Sequence, residues 1–488
     1  MGILEKQTIK GSFWSFVGAF IAFLNVTILM PRLLSTEQVG LVNVLVAIAT
    51  ICAQFSSLGF DAVTTRMFPY FRSEKERHHG YPFLLLMVSI IGFLLWFSLM
   101  FAGGKALVIA QNADKSPMLI DHMGYIIPLV FFLLFFNALD VLYRLLYNAV
   151  IGTFMKEVVV RILNLLLLGV YFTGAIPFDT FLTAYVAILG VPLLALLYLL
   201  VTKEKISFRP NFHFITPRLR KEIGYVAFFG IVSGFSGIAI VNIDKYMVSS
   251  YLGLEQTGIY SIAFYFGTMV LLPARALKKI GASVISDAWR HDNIKLIEDT
   301  YKKSALYQLL MGAVLYGGIV INLDNIPNIL TESYASGMII IAIIGFSNVL
   351  EMVSGQGATL LATSPKYRTQ ALFQFLLMLL VVVSNMLLIP IWGTVGAAIA
   401  TLLSSFTILL ARGVYIYHRW HIHPFGIQIT RLAIVSTVAT ILAYLLPENI
   451  GGFWFVDMVI RSLFFLVLMG LGNFKLLKEW VDNYFSKA

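Results

Sequence analysis

The fold is decided by Val241–Lys279, VNIDKYMVSSYLGLEQTGIYSIAFYFGTMVLLPARALKK. Two apolar runs flank a short polar turn, Leu252-Gly253-Leu254-Glu255-Gln256-Thr257-Gly258. An earlier turn, Leu34-Ser35-Thr36-Glu37-Gln38-Val39-Gly40, repeats it with Leu, Glu, Gln and Gly in register, 218 positions upstream (255 − 37). A glycine closing a polar turn gives the backbone a freedom that β-branched residues lack. The apolar runs on either side are in step as well. A helix–turn–helix repeated at this distance predicts a chain built from two similar halves.

The composition fixes the solvent. Of 488 residues 59% are hydrophobic and 12% charged, against roughly 45–50% and 25% in a soluble domain. No water-soluble fold hides that much apolar surface, so the chain is a polytopic membrane protein. The net charge of +10 does not point to nucleic acid, because the basic residues sit in short segments between apolar runs, as membrane topology requires. The lone Cys52 excludes an internal disulfide and a cysteine metal cluster.

Hydropathy and length predict an all-α fold of about fourteen transmembrane helices. They run near 12–34, 40–60, 82–102, 124–147, 157–174, 180–201, 223–250, 257–280, 304–323, 337–362, 370–389, 394–417, 431–447 and 455–473. The first run is long enough to stay as a span rather than act as a cleaved signal. The runs are continuously apolar, which excludes a β-barrel. With the N-terminus inside, the inner connections collect Arg66, Arg72, Lys156, Lys203, Arg218, Lys221, Lys278, Lys303, Lys366, Arg412 and Arg431, while the outer ones hold only Arg32, Lys105 and Lys115. Both termini are therefore expected on the cytoplasmic side. The expected organisation is a six-helix bundle over 1–206, a cytoplasmic linker over 207–222 with Pro210 and Pro217, a second six-helix bundle over 223–430, and two extra helices with a tail over 431–488. The segment from Gly281 to Lys303, with Trp289, Ile294, Leu296 and Ile297 among charges, reads as an amphipathic helix on the inner face.

Enzyme signatures such as HExxH, GxSxG and GxxxxGK[ST] are absent, and no catalytic residue is assigned. His418, His421 and His423 cluster on a short connection that offers no carboxylate or cysteine, so no metal site is expected. The informative residues are charges inside spans, which on insertion scales cost about 2.5–3.5 kcal/mol each at mid-helix unless a partner or cavity receives them. Asp140 and Arg144 lie at i,i+4 on the fourth span, and Asp457 and Arg461 do so on the last. The latter pair reads as a packing pair. Arg161, Lys245 and Arg275 have no obvious counter-charge on their own helix face, and Arg and Lys suit phosphate. With Arg144, Asn25 and Tyr260 they are the candidate substrate-binding residues. Asp140, Glu351, Asp61 and Asp244 are the candidates for coupling to H⁺ or Na⁺; no other cofactor is expected.

Three stretches carry a family resemblance. They are Lys10-Gly11-Ser12-Phe13-Trp14-Ser15 with the Leu34–Gly40 turn; Asn242-Ile243-Asp244-Lys245-Tyr246-Met247 with Tyr251-Leu252-Gly253 and Gly258-Ile259-Tyr260; and Asn385, Pro390 and Gly393-Thr394-Val395-Gly396-Ala397-Ala398-Ile399-Ala400-Thr401. In this order the chain resembles the polysaccharide (O-antigen or capsule repeat-unit) flippases of the multidrug/oligosaccharidyl-lipid/polysaccharide exporter superfamily. The resemblance implies two six-helix bundles around a central cavity that opens to each side in turn. It also implies an undecaprenyl-pyrophosphate-linked oligosaccharide as substrate, membrane lipid and the polysaccharide polymerase machinery as partners, and the bacterial inner membrane as location. Many members have about twelve spans; the larger count here is similar to lipid II flippases, whose two last helices add a lipid groove. The competing expectations are a cation-coupled drug exporter or a lipid II flippase of the same fold. A polysaccharide polymerase or ligase is a poor fit, since no large outer loop is present. Reporter fusions at Gly104 and Ser207 are expected to give opposite signals, outside and inside; equal signals would overturn the topology.

Overall fold

The computed structural model describes residues 13–474 apart from 16, 74–75, 147–148, 205, 207–208, 212–213, 448–449 and 451. Lys10 to Ser12, Tyr147, Ser207 and the basic residues of both termini lie outside the described residues. These residues form two compact units, Met1–Ser261 and Ile262–Ala488.

No β-strand occurs among the described residues, since lipid satisfies no backbone group and only local helical hydrogen bonding can. In the first unit α1 covers Phe13–Leu33, α2 Thr36–Ser56, α3 Phe60–Phe71, α4 Tyr81–Leu99, α5 Lys105–Asn112, α6 Pro117–Asp121 and α7 Ile126–Leu145. Helix α8 covers 149–172 through a π-turn at Met155–Val159, α9 covers Phe178–Thr202 and α10 Pro217–Leu252. Helix α11, Leu254–Thr268, crosses into the second unit. That unit continues with α12 Leu272–Arg290, α13 Ile294–Val320, α14 Met338–Val353, α15 Gly357–Thr363, α16 Tyr367–Trp420, α17 Ile427–Tyr444 and α18 Trp454–Gly472.

Twelve helices among the described residues are long and apolar enough to cross a membrane. One of them, α16, is broken at Gly393, where φ is +60°. Its two arms, 367–392 and 394–420, are the eleventh and twelfth expected spans. Helix α8 carries Lys156, Glu157 and Arg161 and is the expected fifth span. With these two additions the twelve become the fourteen that hydropathy predicts. The Gly393–Thr401 motif is thus a helical hairpin. Gly393 takes the left-handed turn, and Gly396 lets the second arm close on the first, since a Cβ there would lie 2.1 Å from the Leu388 carbonyl oxygen.

The two matched turns pack against each other inside the first unit. A Cβ on Gly40 would meet the Leu254 carbonyl oxygen at 1.9 Å, and one on Gly258 would meet the Thr36 carbonyl oxygen at 2.0 Å. Ser35 starts α2 with a capping box, its hydroxyl accepting from Gln38 N–H while the Gln38 amide oxygen accepts from Ser35 N–H. In the second turn Gly253 replaces this serine. Its φ is +90°, and a Cβ there would lie 2.7 Å from the Lys115 carbonyl oxygen. The outer connection holding α5 and α6 lies over this turn and along the end of α10. Tyr246 donates to Gln111 at 2.5 Å, Ser250 to Asn112 at 3.3 Å, and Ser116 to the Ser249 carbonyl at 3.0 Å. Farther along, α10 closes on α2 and α3 through small residues. A Cβ on Gly59 would sit 2.2 Å from the Ala227 carbonyl oxygen, and Gly230 faces Gly59 in the same way. This packing carries the first unit past the linker to include α10.

In the second unit α17 and α18 share a core with α13. Leu306, Leu309, Ala313 and Ile321 meet Leu432, Ala439, Ala443, Phe465 and Met469. The 281–303 segment corrects an expectation. It is not a separate surface helix but the end of α12, a turn at 291–293 and the start of α13. Trp289, Ile294 and Ile297 pack against Leu360, Leu361, Ile416 and Ile422. Much of its apolar face is covered by protein instead of lipid, while Leu296 stays exposed.

Replacing Gly40 or Gly258 by Ala is expected to force the crossing apart, lowering stability by about 1–3 kcal/mol. Thermal unfolding of the detergent-purified protein would read this as a lower midpoint for both variants. Gly413→Ala serves as the control, since nothing lies within 4 Å of the added methyl.

Candidate functional site

Both units hold ionisable side chains within their apolar helices. In the first, Arg144 Nε lies 3.2 Å from Asp140 Oδ2, the i,i+4 pair visible in the sequence, and the Arg144 side chain is 48% exposed. Asp61 accepts from Gln54 Nε2 at 3.3 Å and lies within electrostatic reach of the same guanidinium. Lys156 faces Asp140 and sits over the Phe136 ring. A Cβ on Gly152 would meet Asp140 Oδ1. Asp61, Gln54, Asp140, Arg144 and Lys156 thus form one polar cluster where α2, α3, α7 and the start of α8 meet. Two carboxylates and two cations give no large net charge, while Asp140 Oδ1 is buried without a hydrogen-bond partner among the described residues.

Arg161 does have a same-face counter-charge. It is paired with Glu157, one helical turn back on α8, and its carbonyl accepts from Asn25 Nδ2 at 2.6 Å. This corrects the expectation that Arg161 lacks a counter-charge on its own helix face, since Glu157 stands one turn before it inside the same expected span of 157–174. Asn25 is buried and committed to that carbonyl. Tyr260 is fully buried, and its hydroxyl donates to Asp244 Oδ2 at 2.9 Å. Neither its ring nor its hydroxyl is open to a sugar, and Asp244 is already occupied. Lys245 is likewise buried and engaged. Arg275 is exposed on α12.

In the second unit Glu351 on α14 receives Lys278 Nζ at 2.5 Å from α12. Arg412, on the second arm of α16, lies within electrostatic reach of the same carboxylate and is 7% exposed. Glu351 therefore faces two cations and offers no vacant negative charge to a coupling ion. Neither Lys278 nor Arg412 was singled out from the sequence. They lie toward the ends of expected spans, where basic residues are ordinary, and Lys278 is 73 positions from its partner. Asp457 and Arg461 are paired at 2.9 Å and nearly fully buried. Asp457 also accepts from Asn325 Nδ2 at 2.8 Å, while Arg461 donates to the carbonyls of Leu446, Pro447 and Ile321. The pair ties α18 to the ends of α17 and α13.

These features define a multi-span transporter fold whose intramembrane charges are largely paired. The chain belongs to the polysaccharide biosynthesis protein family, whose model matches residues 8–273. Among solved structures it is similar to the lipid II flippase MurJ in an inward closed conformation, with TM-score 0.75 and 14% identity over 96% of this chain and 100% of that one. It is similar also to an inward-facing multidrug resistance MATE family transporter of the MOP superfamily, with TM-score 0.64 and 14% identity over 83% and 94%. A MOP superfamily transporter from Pyrococcus furiosus aligns with TM-score 0.58 and 17% identity over 85% and 96%. No curated protein matches. These likenesses establish a MOP-type membrane transport fold.

Arg461→Ala is expected to strand Asp457 in a dry site and cost about 3–5 kcal/mol. Yield and thermal midpoint of the purified protein should fall sharply. The double variant Asp457→Leu with Arg461→Met should recover most of the loss. A stable Arg461→Ala protein would show that the pair carries little.

Proposed function

We propose that this protein is a flippase for an undecaprenyl-pyrophosphate-linked oligosaccharide, acting at the bacterial inner membrane in O-antigen or capsule assembly. The observation that carries this reading is the polysaccharide biosynthesis family match, over 8–273, in a chain whose fold spans the whole of a lipid II flippase. Two repeats, 1–206 and 223–430, joined by the cytoplasmic 207–222 linker, would expose the head group alternately to each side. Helices of 431–488 are the addition to that repeat pair. No bond is made or broken, so no catalytic residue is needed, and both termini stay in the cytoplasm.

The chemistry of the substrate assigns the work. A pyrophosphate is a dense anion that needs fixed cations in a low-dielectric setting. The exposed Arg144 and Arg275 are available for it. Arg161 and Lys245 already have partners and would have to exchange them. The polyprenyl tail needs only apolar helix surface, which this chain presents along α4, α16 and α18. A coupling ion, if used, is better sought at Asp140 and Asp61 than at Glu351, which Lys278 already neutralises. A lipid II flippase is the second reading, favoured by the complete coverage of the MurJ chain. Both share the polyprenyl pyrophosphate.

Deleting the protein from its host is expected to abolish surface polysaccharide and to accumulate lipid-linked oligosaccharide on the cytoplasmic side. Arg275→Ala or Arg144→Ala should reproduce much of this defect with unchanged protein level in membranes. Arg275→Lys should be milder, because charge survives while the bidentate fork is lost. Rescue of cells depleted of their lipid II flippase would favour the second reading. Normal polysaccharide in the deletion strain would end the first.

A further inference from the structure

Among the described residues of the second unit, Arg412 is a buried cation with an unsatisfied nitrogen. It is 93% buried by its 7% exposure, and among the described residues its Nε has no hydrogen-bond acceptor. A guanidinium removed from water without an acceptor is costly, by several kcal/mol in proteins. Glu351 is near enough to feel its charge, yet its bonded partner is Lys278 Nζ at 2.5 Å. Two cations thus face one carboxylate, which leaves the cluster one positive charge in excess. Tyr301 turns its hydroxyl to the same place. The position of a Cβ on Gly357 lies 3.0 Å from Tyr301 Oη and 3.7 Å from Arg412 Cδ, so the two side chains approach each other over this glycine.

The depth of the cluster is informative. Lys278 lies in the first half of α12, Tyr301 about two turns into α13, Glu351 near the end of α14, and Arg412 near the end of α16. By the distribution of Lys and Arg all four ends lie on the cytoplasmic side, with Lys302, Lys303, Lys366, Arg368 and Arg419 following in the adjoining segments. A phosphate reaching the site would therefore come from the cytoplasmic side. A buried guanidinium and a phenol meet beside Gly357, and an ammonium reaches the carboxylate that feels the same guanidinium, so cationic donors outnumber the carboxylate that faces them. Phosphate supplies several acceptor oxygens and the missing negative charge, and the planar guanidinium fork matches it.

We propose that the inner ends of α12, α13, α14 and α16 form a phosphate-binding site, in which Arg412 and Lys278 are the cations and Tyr301 a hydroxyl donor. Glu351 is a built-in placeholder: it holds Lys278 when the site is empty and yields it when a phosphate enters. The phosphate comes either from the pyrophosphate of a lipid-linked substrate or from an anionic bilayer lipid. The first source rests on the flippase reading and the second does not.

The test uses the full-length purified protein. Its thermal midpoint is followed against inorganic pyrophosphate at constant ionic strength. In parallel it is followed in phosphatidylcholine vesicles with and without phosphatidylglycerol. An upward, saturating shift is expected in at least one arm; pyrophosphate alone points to the substrate, phosphatidylglycerol alone to the lipid. Arg412→Gln and Lys278→Gln should each weaken apparent affinity about tenfold or more, the scale of losing a charged hydrogen bond. Glu351→Gln should strengthen it, because the competing carboxylate is gone. A purely structural ion pair would not do that. Should Arg412→Gln fail to fold, the half-exposed Lys278 and Glu351 still decide through their opposite signs. No shift in either arm, equal affinity in Lys278→Gln, or weaker affinity in Glu351→Gln would each overturn the site. Binding is read on the isolated protein, so its failure is distinguishable from a failure of the transport reading, which is scored by surface polysaccharide.

Discussion

The crossing of the two matched turns is the contact on which the first unit depends. At Gly40 and Gly258 each backbone lies where the other's side chain would be, with carbonyl oxygens 1.9 and 2.0 Å from the absent methyls. In lipid there is no hydrophobic gain from bringing helices together, since acyl chains are as apolar as leucine. Close backbone approach is what remains, through dispersion and weak Cα–H···O contacts. The contact is reciprocal, glycine to carbonyl both ways, as two copies of one local structure meeting face to face should be. It also constrains its surroundings. Ser35 can cap α2 with a side chain because its turn is open on that side. Gly253 cannot carry one, because the Lys115 carbonyl is pressed onto it. The difference between the two copies is thereby explained by the outer segment that covers only one of them.

The spans were legible in the sequence because the bilayer imposes them. A run of the right length that is apolar throughout has few alternatives to a helix. The breaks were legible where chemistry marks them, as at Pro390 and Gly393. Local pairs were equally readable: Asp140 with Arg144 and Asp457 with Arg461 stand one turn apart and meet as expected. Glu157 and Arg161 obey the same i,i+4 rule inside the expected fifth span, 157–174, so their pair was equally legible.

What could not be read are the pairings between distant spans. Lys278 with Glu351, Asn325 with Asp457 and Gln111 with Tyr246 are set by how helices pack, and no periodicity within one helix encodes that. The same limit explains the 281–303 segment. Its amphipathic pattern was real, but an apolar face looks the same whether lipid or α15 and the end of α16 will cover it. Tyr260 illustrates the limit for single residues. An aromatic on a helix near charged neighbours suggests a sugar platform, whereas its hydroxyl is spent on Asp244 inside the first unit.

Sorting the intramembrane charges by partner separates structural from exchangeable ones. Arg461 has a carboxylate and three carbonyls within reach and is sealed from solvent, so nothing is left for it to bind. Arg144 is bonded to the Asp140 carboxylate and keeps an exposed head, so it can take another acceptor without leaving a sealed site. A transporter needs ligands of the second kind, since a substrate held by fully satisfied groups could neither enter nor leave. It also needs the first kind, because rigid elements are what convert a local exchange of partners into movement of whole helices. The chain provides both within one set of residue types, and burial together with the count of acceptors distinguishes them where residue identity does not.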